Sequence, residues 1–121
     1  MRVAVTVWEK RISPVFDASR RLLIAEVENG RIKDRTTIIF DPALPTTLAR
    51  TLSELKVPVL ICDAVSQVPA NIIVASGITL IPFIAGEVDR VLAAYAGGNS
   101  LAPAFAMPGC RNSAPDIEKH L

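Results

Sequence analysis

The sequence predicts an α/β fold: a five-stranded mixed sheet with helices on both faces. Three observations carry this. Asn29-Gly30 sits between two strand-like runs, Leu22 to Val27 and Ile32 to Phe40. Asn-Gly is the strongest short-range hairpin signal, because both turn positions need positive φ. Two later apolar runs, Val57 to Cys62 and Ile78 to Pro82, are each followed by a helical segment, as in parallel βαβ units. The opening run Val3-Ala4-Val5-Thr6-Val7 is short and rich in β-branched residues, which suits a buried central strand.

After that first strand, Ser13-Pro14-Val15-Phe16-Asp17 forms a loop, and Trp8 is assigned to the rim of the core. In the hairpin Glu28 is expected opposite Arg31 and Glu26 opposite Lys33, so the cross-strand charges are opposite in sign. Asp41-Pro42 ends it. Pro45-Thr46-Thr47 opens a helix whose Leu48, Leu52 and Leu55 recur at i, i+4 and i+7. Pro58 stands at an early strand position, where its missing N–H is tolerated. Ser66 is the expected N-cap of a helix to Ser76, with Pro69 in its permissive first turn and Gly77 at the left-handed position beyond it. Gly86-Glu87-Val88-Asp89 begins the last helix, with acids at its positive end and Gly97-Gly98 past its finish. Val88, Val91, Leu92 and Tyr95 form its buried stripe.

The order is thus β-β-β-α-β-α-β-α. Right-handed crossovers set strand one beside the strand that ends at Cys62, which is the ribonuclease H-like arrangement. Residues 1–98 are expected to form this single domain. Residues 99–121, punctuated by Ala102-Pro103, Met107-Pro108-Gly109 and Ala114-Pro115, read as an irregular, flexible tail.

Composition narrows the class. A chain of 121 residues, 50% hydrophobic and 21% charged, is a soluble globular domain of ordinary size. A net charge of +1 argues against a nucleic-acid binder, which shows a basic stripe. No apolar run reaches the roughly 18 residues of a membrane span, so no membrane partner is expected. Glu9-Lys10-Arg11 brings charge too early for a signal peptide, and the expected location is cytoplasmic. Cys62 and Cys110 allow one disulfide at most, and a reducing compartment favours free thiols.

If strand one and the Cys62 strand are parallel neighbours, their carboxyl ends form the crevice where open α/β sheets bind ligands. Ser13 to Asp17 reaches it from one side and Ile61 to Ser66 from the other. Ser13 brings a hydroxyl, Phe16 a ring, Cys62 a thiol and Asp63 a carboxylate. Cys62 as thiolate could bind a soft metal, its pKa lowered by a nearby helix N-terminus; the ordinary reading is a small buried hydrophobe. Cys110 is either a second sulfur ligand or an inert tail thiol. Ser66 and the amides after it make an anion-friendly helix start, or a simple cap. Phe16 plugs the sheet edge or stacks on a ligand, and Asp17 is a turn former or a supporting acceptor. Arg11, Arg20 and Arg21 offer cations beside the crevice or a solvated face. His120, the only histidine, is penultimate and fits a disordered end better than a ligand site.

In their order these motifs resemble the accessory domains of nitrogenase iron–molybdenum cofactor biosynthesis and their stand-alone relatives. The elements are Ser13-Pro14-Val15-Phe16, Val27-Glu28-Asn29-Gly30, Leu60-Ile61-Cys62 and Gly86-Glu87-Val88-Asp89, and they fall within residues 1–98. The resemblance implies the fold above and a protein that binds or carries metal–sulfur clusters or their precursors. It points to an iron–sulfur or iron–molybdenum type cluster with Cys62 and Cys110 as metal ligands. Ser13, Phe16, Asp63 and Ser66 would line the site, and a cluster-assembly ATPase or scaffold protein would be the partner. Two positions depart from the pattern. Val15 stands where many relatives have His, which removes an imidazole. Asp63-Ala64 replaces Gly-Gly, which adds bulk and a charge.

The expected function is therefore a non-catalytic carrier or scaffold for a metal cluster or metallocofactor, acting by ligand exchange. The alternative is a regulatory module that binds a small anion or a protein partner without metal. A nuclease is excluded: such enzymes hold two metal ions on clustered carboxylates, one from the first strand. Val3 to Val7 carries no acid, and shared fold is not shared function.

Overall fold

A computed structural model of the chain describes residues 1–101 and Phe105. Its elements are β1 (Arg2–Trp8), β2 (Arg11–Ile12), β3 (Arg21–Glu28), β4 (Arg31–Ile39), α1 (Pro45–Glu54), β5 (Val59–Ile61), α2 (Gln67–Ala75), β6 (Thr79–Ile81) and α3 (Val88–Ala96), with a 3-10 turn at Phe16–Ala18. The sheet runs β4-β3-β1-β5-β6, and β2 folds back onto the end of β1 as a sixth strand. β1 is antiparallel to β3 and parallel to β5, and β5 is parallel to β6. The mixed sheet and the β1–β5 adjacency match the expectation from sequence. The expected count of five strands is corrected to six, because two residues are too few to leave a periodic signal.

The hairpin turn has the predicted left-handed pair, Asn29 at φ 53° and Gly30 at φ 75°, and Glu28 lies opposite Arg31. The rest of its register departs from expectation. It shifts between Glu26 and Val27, so Glu26 faces Asp34 and not Lys33; this is the one-residue slip a β-bulge introduces. Glu26 takes the Met1 amine and Arg2 instead, while Lys33 Nζ reaches Glu28 Oε2 at 3.0 Å.

Alternation along the strands deals residues to two faces. Ala4 and Leu60 join Leu22, Leu48, Leu52 and Ile73 beneath α1 and α2. Val3, Val5, Val59 and Ile61 join Val91 and Leu92 beneath α3. Helices thus cover both faces, and each fully buried Leu or Ile contributes about 1.5–3 kcal/mol. Two positions differ from expectation. Tyr95 is only half-buried, and Trp8 is 60% exposed rather than at the core rim. Trp8 pairs with Arg11, and the two-residue β2 offers it no cover.

The packed domain continues past residue 98. Leu101 is buried in the α3-side cluster. Phe105 N–H donates to Leu101 O at 2.8 Å, and Ala85 N–H donates to Phe105 O at 2.6 Å. Most of the expected tail, with Cys110 and His120, lies outside the described residues. Among the described residues no helix is long and apolar enough to cross a membrane.

Candidate functional site

The carboxyl ends of β1, β5 and β6 lead into three segments, 13–17, 62–66 and 82–86, that are stitched together by main-chain hydrogen bonds. Phe16 N–H donates to Ala64 O at 2.7 Å, and Ala64 N–H donates to Pro14 O at 3.2 Å, a short parallel bridge between the first two. Ile84 N–H donates to Cys62 O at 3.1 Å, and Phe83 N–H donates to Asp63 O at 3.3 Å, joining the third. The two loops expected to meet do meet, and Cys62 and Asp63 lie at the junction.

Each candidate side chain has a definite place. Cys62 is a free thiol, fully buried in the α1/α2-side cluster. Burial raises its pKa far above the ordinary thiol value, and the charges of Asp63 and Asp17 raise it further. This corrects the expectation of a thiol acidified by a helix start. At neutral pH Cys62 is protonated, because burial and like charge outweigh the α2 dipole.

Asp63 is 5% exposed. Burial pushes its carboxyl from 3.8 up to about 6, against a lowering hydrogen bond from the Ala64 amide. Its Oδ1 has no hydrogen-bond partner among the described residues, and such an oxygen calls for an explanation in a folded protein.

Ser66 occupies the N-cap position of α2 with extended φ and ψ, yet its side chain caps nothing. Its Oγ donates to Asp17 Oδ1 at 3.0 Å, and its N–H donates to Asp17 Oδ2 at 3.3 Å. Asp17, expected as a turn former, thus places its own carboxylate at the helix start. Ser13 is buried, and its Oγ makes only a long contact, 3.4 Å, to Val15 O. Phe16 is fully buried and packs on Phe40 with ring centroids 5.7 Å apart. It is core, and offers no face to a ligand in this arrangement. Cys110 lies outside the described residues.

Two features escaped the sequence reading. Thr6, wholly buried on β1, also has an Oγ1 without a partner among the described residues; a lone hydroxyl in an apolar run was its available signal. Phe83 adopts φ 62°, an unusual value for a bulky side chain and one that concentrates at functional sites. Nothing in its neighbours' sequence announced it.

Residues 1–98 match the model of a protein family described as dinitrogenase iron–molybdenum cofactor. The chain belongs to this family. Solved structures resemble it as well. The crystal structure of PH0822 superposes with a TM-score of 0.71 at 19% identity, covering 82% of this chain and 93% of that one. A Methanocaldococcus jannaschii protein with a provisional dinitrogenase name gives 0.66 at 19% identity, covering 81% and 89%. A Thermotoga protein of the DUF35 family, provisionally named NifB, gives 0.61 at 20% identity, covering 89% and 98%. At these identities the likeness is one of fold. No curated protein matches the chain significantly.

The family name concerns a metal cofactor. Among the described residues no group of three or more His, Cys, Asp or Glu is placed to hold a metal ion. The junction offers instead one protonated thiol, one buried carboxylate with a free oxygen, and one carboxylate engaged with a helix start.

Proposed function

We propose that this chain is a non-catalytic carrier in metallocofactor biosynthesis, taking up a metal-containing cluster or its precursor at the junction of the three segments and passing it on by ligand exchange. The single observation that carries the reading is the meeting of segments 13–17 and 62–66 around Cys62 at the carboxyl edge of the parallel strands. Family membership supports the cofactor-related role in general, and open α/β sheets place ligands at this edge. Cys62 supplies the anchoring sulfur once the segments part, and Cys110 a second sulfur. A cluster-assembly ATPase or scaffold is the natural donor or acceptor.

The alternative is a regulatory module for a protein partner. The exposure of Val15 and Val68, 43% and 67%, favours it: both flank the Asp17–Ser66 contact in sequence and present apolar surface. A small-anion version is disfavoured, because the Asp17 carboxylate stands at the Ser66 N-cap of α2 and would repel an anion there.

The test is anaerobic purification after offering iron, sulfide and molybdate, followed by elemental analysis and an absorption spectrum. Stoichiometric metal with sulfur-to-metal charge-transfer bands, lost in Cys62→Ala and reduced in Cys110→Ala, is the expected result. A colourless, metal-free protein under all loadings would transfer the reading to the partner-binding module.

A further inference from the structure

We infer that the free edge of β4 is a self-pairing surface: Thr36 to Phe40 of one copy align antiparallel with the same residues of a second copy, joining two sheets into one. The inference is independent of the carrier reading. Among the described residues β4 is the last strand on its side of the sheet, with β3 as its neighbour. Its two halves differ. The amino half is defended in the way natural edge strands are. It carries Arg31, Lys33, Asp34 and Arg35, its ladder shifts register beside Glu26 and Val27, and Arg35 N–H already donates to Asp34 Oδ1 at 2.8 Å. The carboxyl half, Thr36-Thr37-Ile38-Ile39-Phe40, carries no charge. Within it, Ile39 is 81% exposed.

One hydrogen bond fixes which main-chain groups face outward. Phe40 N–H donates to Arg20 O at 2.9 Å, and Arg20 and Phe40 continue the ladder in which Arg21 faces Ile39. Hydrogen-bonding direction alternates along a strand, so Ile38 and Thr36 also turn their N–H and C=O toward β3. Arg35, Thr37 and Ile39 turn theirs outward, and the bond from Arg35 N–H to Asp34 Oδ1 agrees with this. Thr37 and Ile39 thus hold outward N–H and C=O groups in the undefended half.

A second copy of the chain fits this edge residue by residue. A two-fold axis perpendicular to the sheet keeps each side chain on its own face, so one residue must stand opposite its own equivalent. With Ile38 opposite Ile38 of the other copy, Thr37 stands opposite Ile39, and each such pair exchanges N–H···O=C bonds. Thr36 then stands opposite Phe40. Cross-strand pairs of β-branched and aromatic residues are favourable ones. The same register sets Arg35 opposite Asp41 of the other copy, so opposite charges meet at both ends of the paired stretch. Centring on Thr37 instead would call on Arg35 N–H, which Asp34 holds. The assembly closes at a dimer, because the other edge strand, β6, spans Thr79–Ile81 and is followed by Pro82, a short edge ended by a residue without an N–H. Since β4 runs parallel to β1, the two crevices open at opposite ends of the joined sheet.

The test is sedimentation equilibrium of the full chain at pH 7.5, with disulfide formation as a readout of register. Wild type is expected to dimerise with a Kd of about 1–100 μM, since one short strand from each copy makes a small interface. Thr37→Pro removes an N–H that faces away from β3, so the fold is expected to survive and dimerisation to weaken at least about tenfold. Ile39→Lys puts a charge at an exposed edge position and is expected to act likewise. In a Cys110→Ala background, Ile38→Cys is expected to oxidise to a disulfide-linked dimer. Circular dichroism confirms that each variant is folded. A wild type that stays monomeric up to about 500 μM would overturn the inference, and so would species larger than a dimer that grow with concentration. Unchanged dimerisation in folded Thr37→Pro and Ile39→Lys would put the contact elsewhere and overturn it too. A folded Ile38→Cys variant that dimerises but forms no such disulfide under oxidation would overturn the register.

Discussion

Replacing Asp63 by Asn should make the protein more stable at neutral pH and remove part of its pH dependence. The folded chain holds the Asp63 proton more tightly than the unfolded chain does, since the carboxyl is pushed from 3.8 up to about 6. Below pH 3.8 the group is protonated in both states and its side chain costs nothing electrostatically. As pH rises from 3.8 to about 6 the unfolded state ionises first, and stability is lost through that window. Above it the loss is constant. At about 1.36 kcal/mol per unit of pKa the full loss is about 3 kcal/mol. Asn cannot ionise but leaves a polar group near the same place, so a net gain of about 1–3 kcal/mol is expected at pH 7.5. Urea unfolding followed by far-ultraviolet circular dichroism, for both proteins at pH 3.5 and pH 7.5, isolates the effect, because the other carboxylates cancel in the difference. A stability difference that stays constant over this range would refute the reasoning. So would an Asn variant that is the less stable protein at pH 7.5.

Other consequences follow from single contacts. Asp17→Ala removes two hydrogen bonds to Ser66. At about 1–2 kcal/mol together, their loss should speed reaction of Cys62 with a thiol reagent about 5- to 30-fold, measured in a Cys110→Ala background. In that background with Asp17 intact, Cys62 should react only slowly until the protein is unfolded, because the thiol is buried and protonated. Gly86→Ala should cost about 1–3 kcal/mol, since Gly86 holds φ 137° and an added Cβ would lie 3.3 Å from the Phe105 ring. Most of that cost should persist in a Phe105→Ala background, as thermal melts of the four proteins of the cycle would show, because backbone strain does not depend on the ring. Leu52→Ala, in the α1/α2-side core, should cost about 2–5 kcal/mol in urea unfolding. Asp89→Ala, which breaks a mostly exposed pair with Arg35, should cost less than about 1 kcal/mol in the same assay.

The parts of the fold legible in the sequence were those fixed by local chemistry. Asn29-Gly30 admits few turns, and the apolar strand runs and the Leu48/Leu52 spacing each answer to one period. The bulge at Glu26/Val27 was not legible, because it depends on what lies across from it: Glu26 is drawn to the Met1 amine and Arg2, residues some two dozen positions away in the chain. β2 was missed for lack of length, and the exposure of Trp8 follows from the same short strand. At the site, the meeting of the two loops could be foreseen once β1 and β5 were placed side by side. The state of Cys62 could not. A thiol before a helix reads as acidic when only the helix is considered, and burial together with two carboxylates reverses the sign.

That reversal bears on how the crevice works. The main-chain contacts that join 13–17 to 62–66 lie next in the chain to Cys62, which is itself fully buried in the α1/α2-side core. Asp17 accepts from the Ser66 N–H and Oγ, which sets a carboxylate beside the start of α2. Asp63 pulls the other way. A buried carboxylate whose Oδ1 has no partner among the described residues raises the free energy of the folded junction at neutral pH. The folded junction is therefore less stable with Asp63 ionised than with it protonated. Asp17, by contrast, finds a donor for each of its oxygens in Ser66.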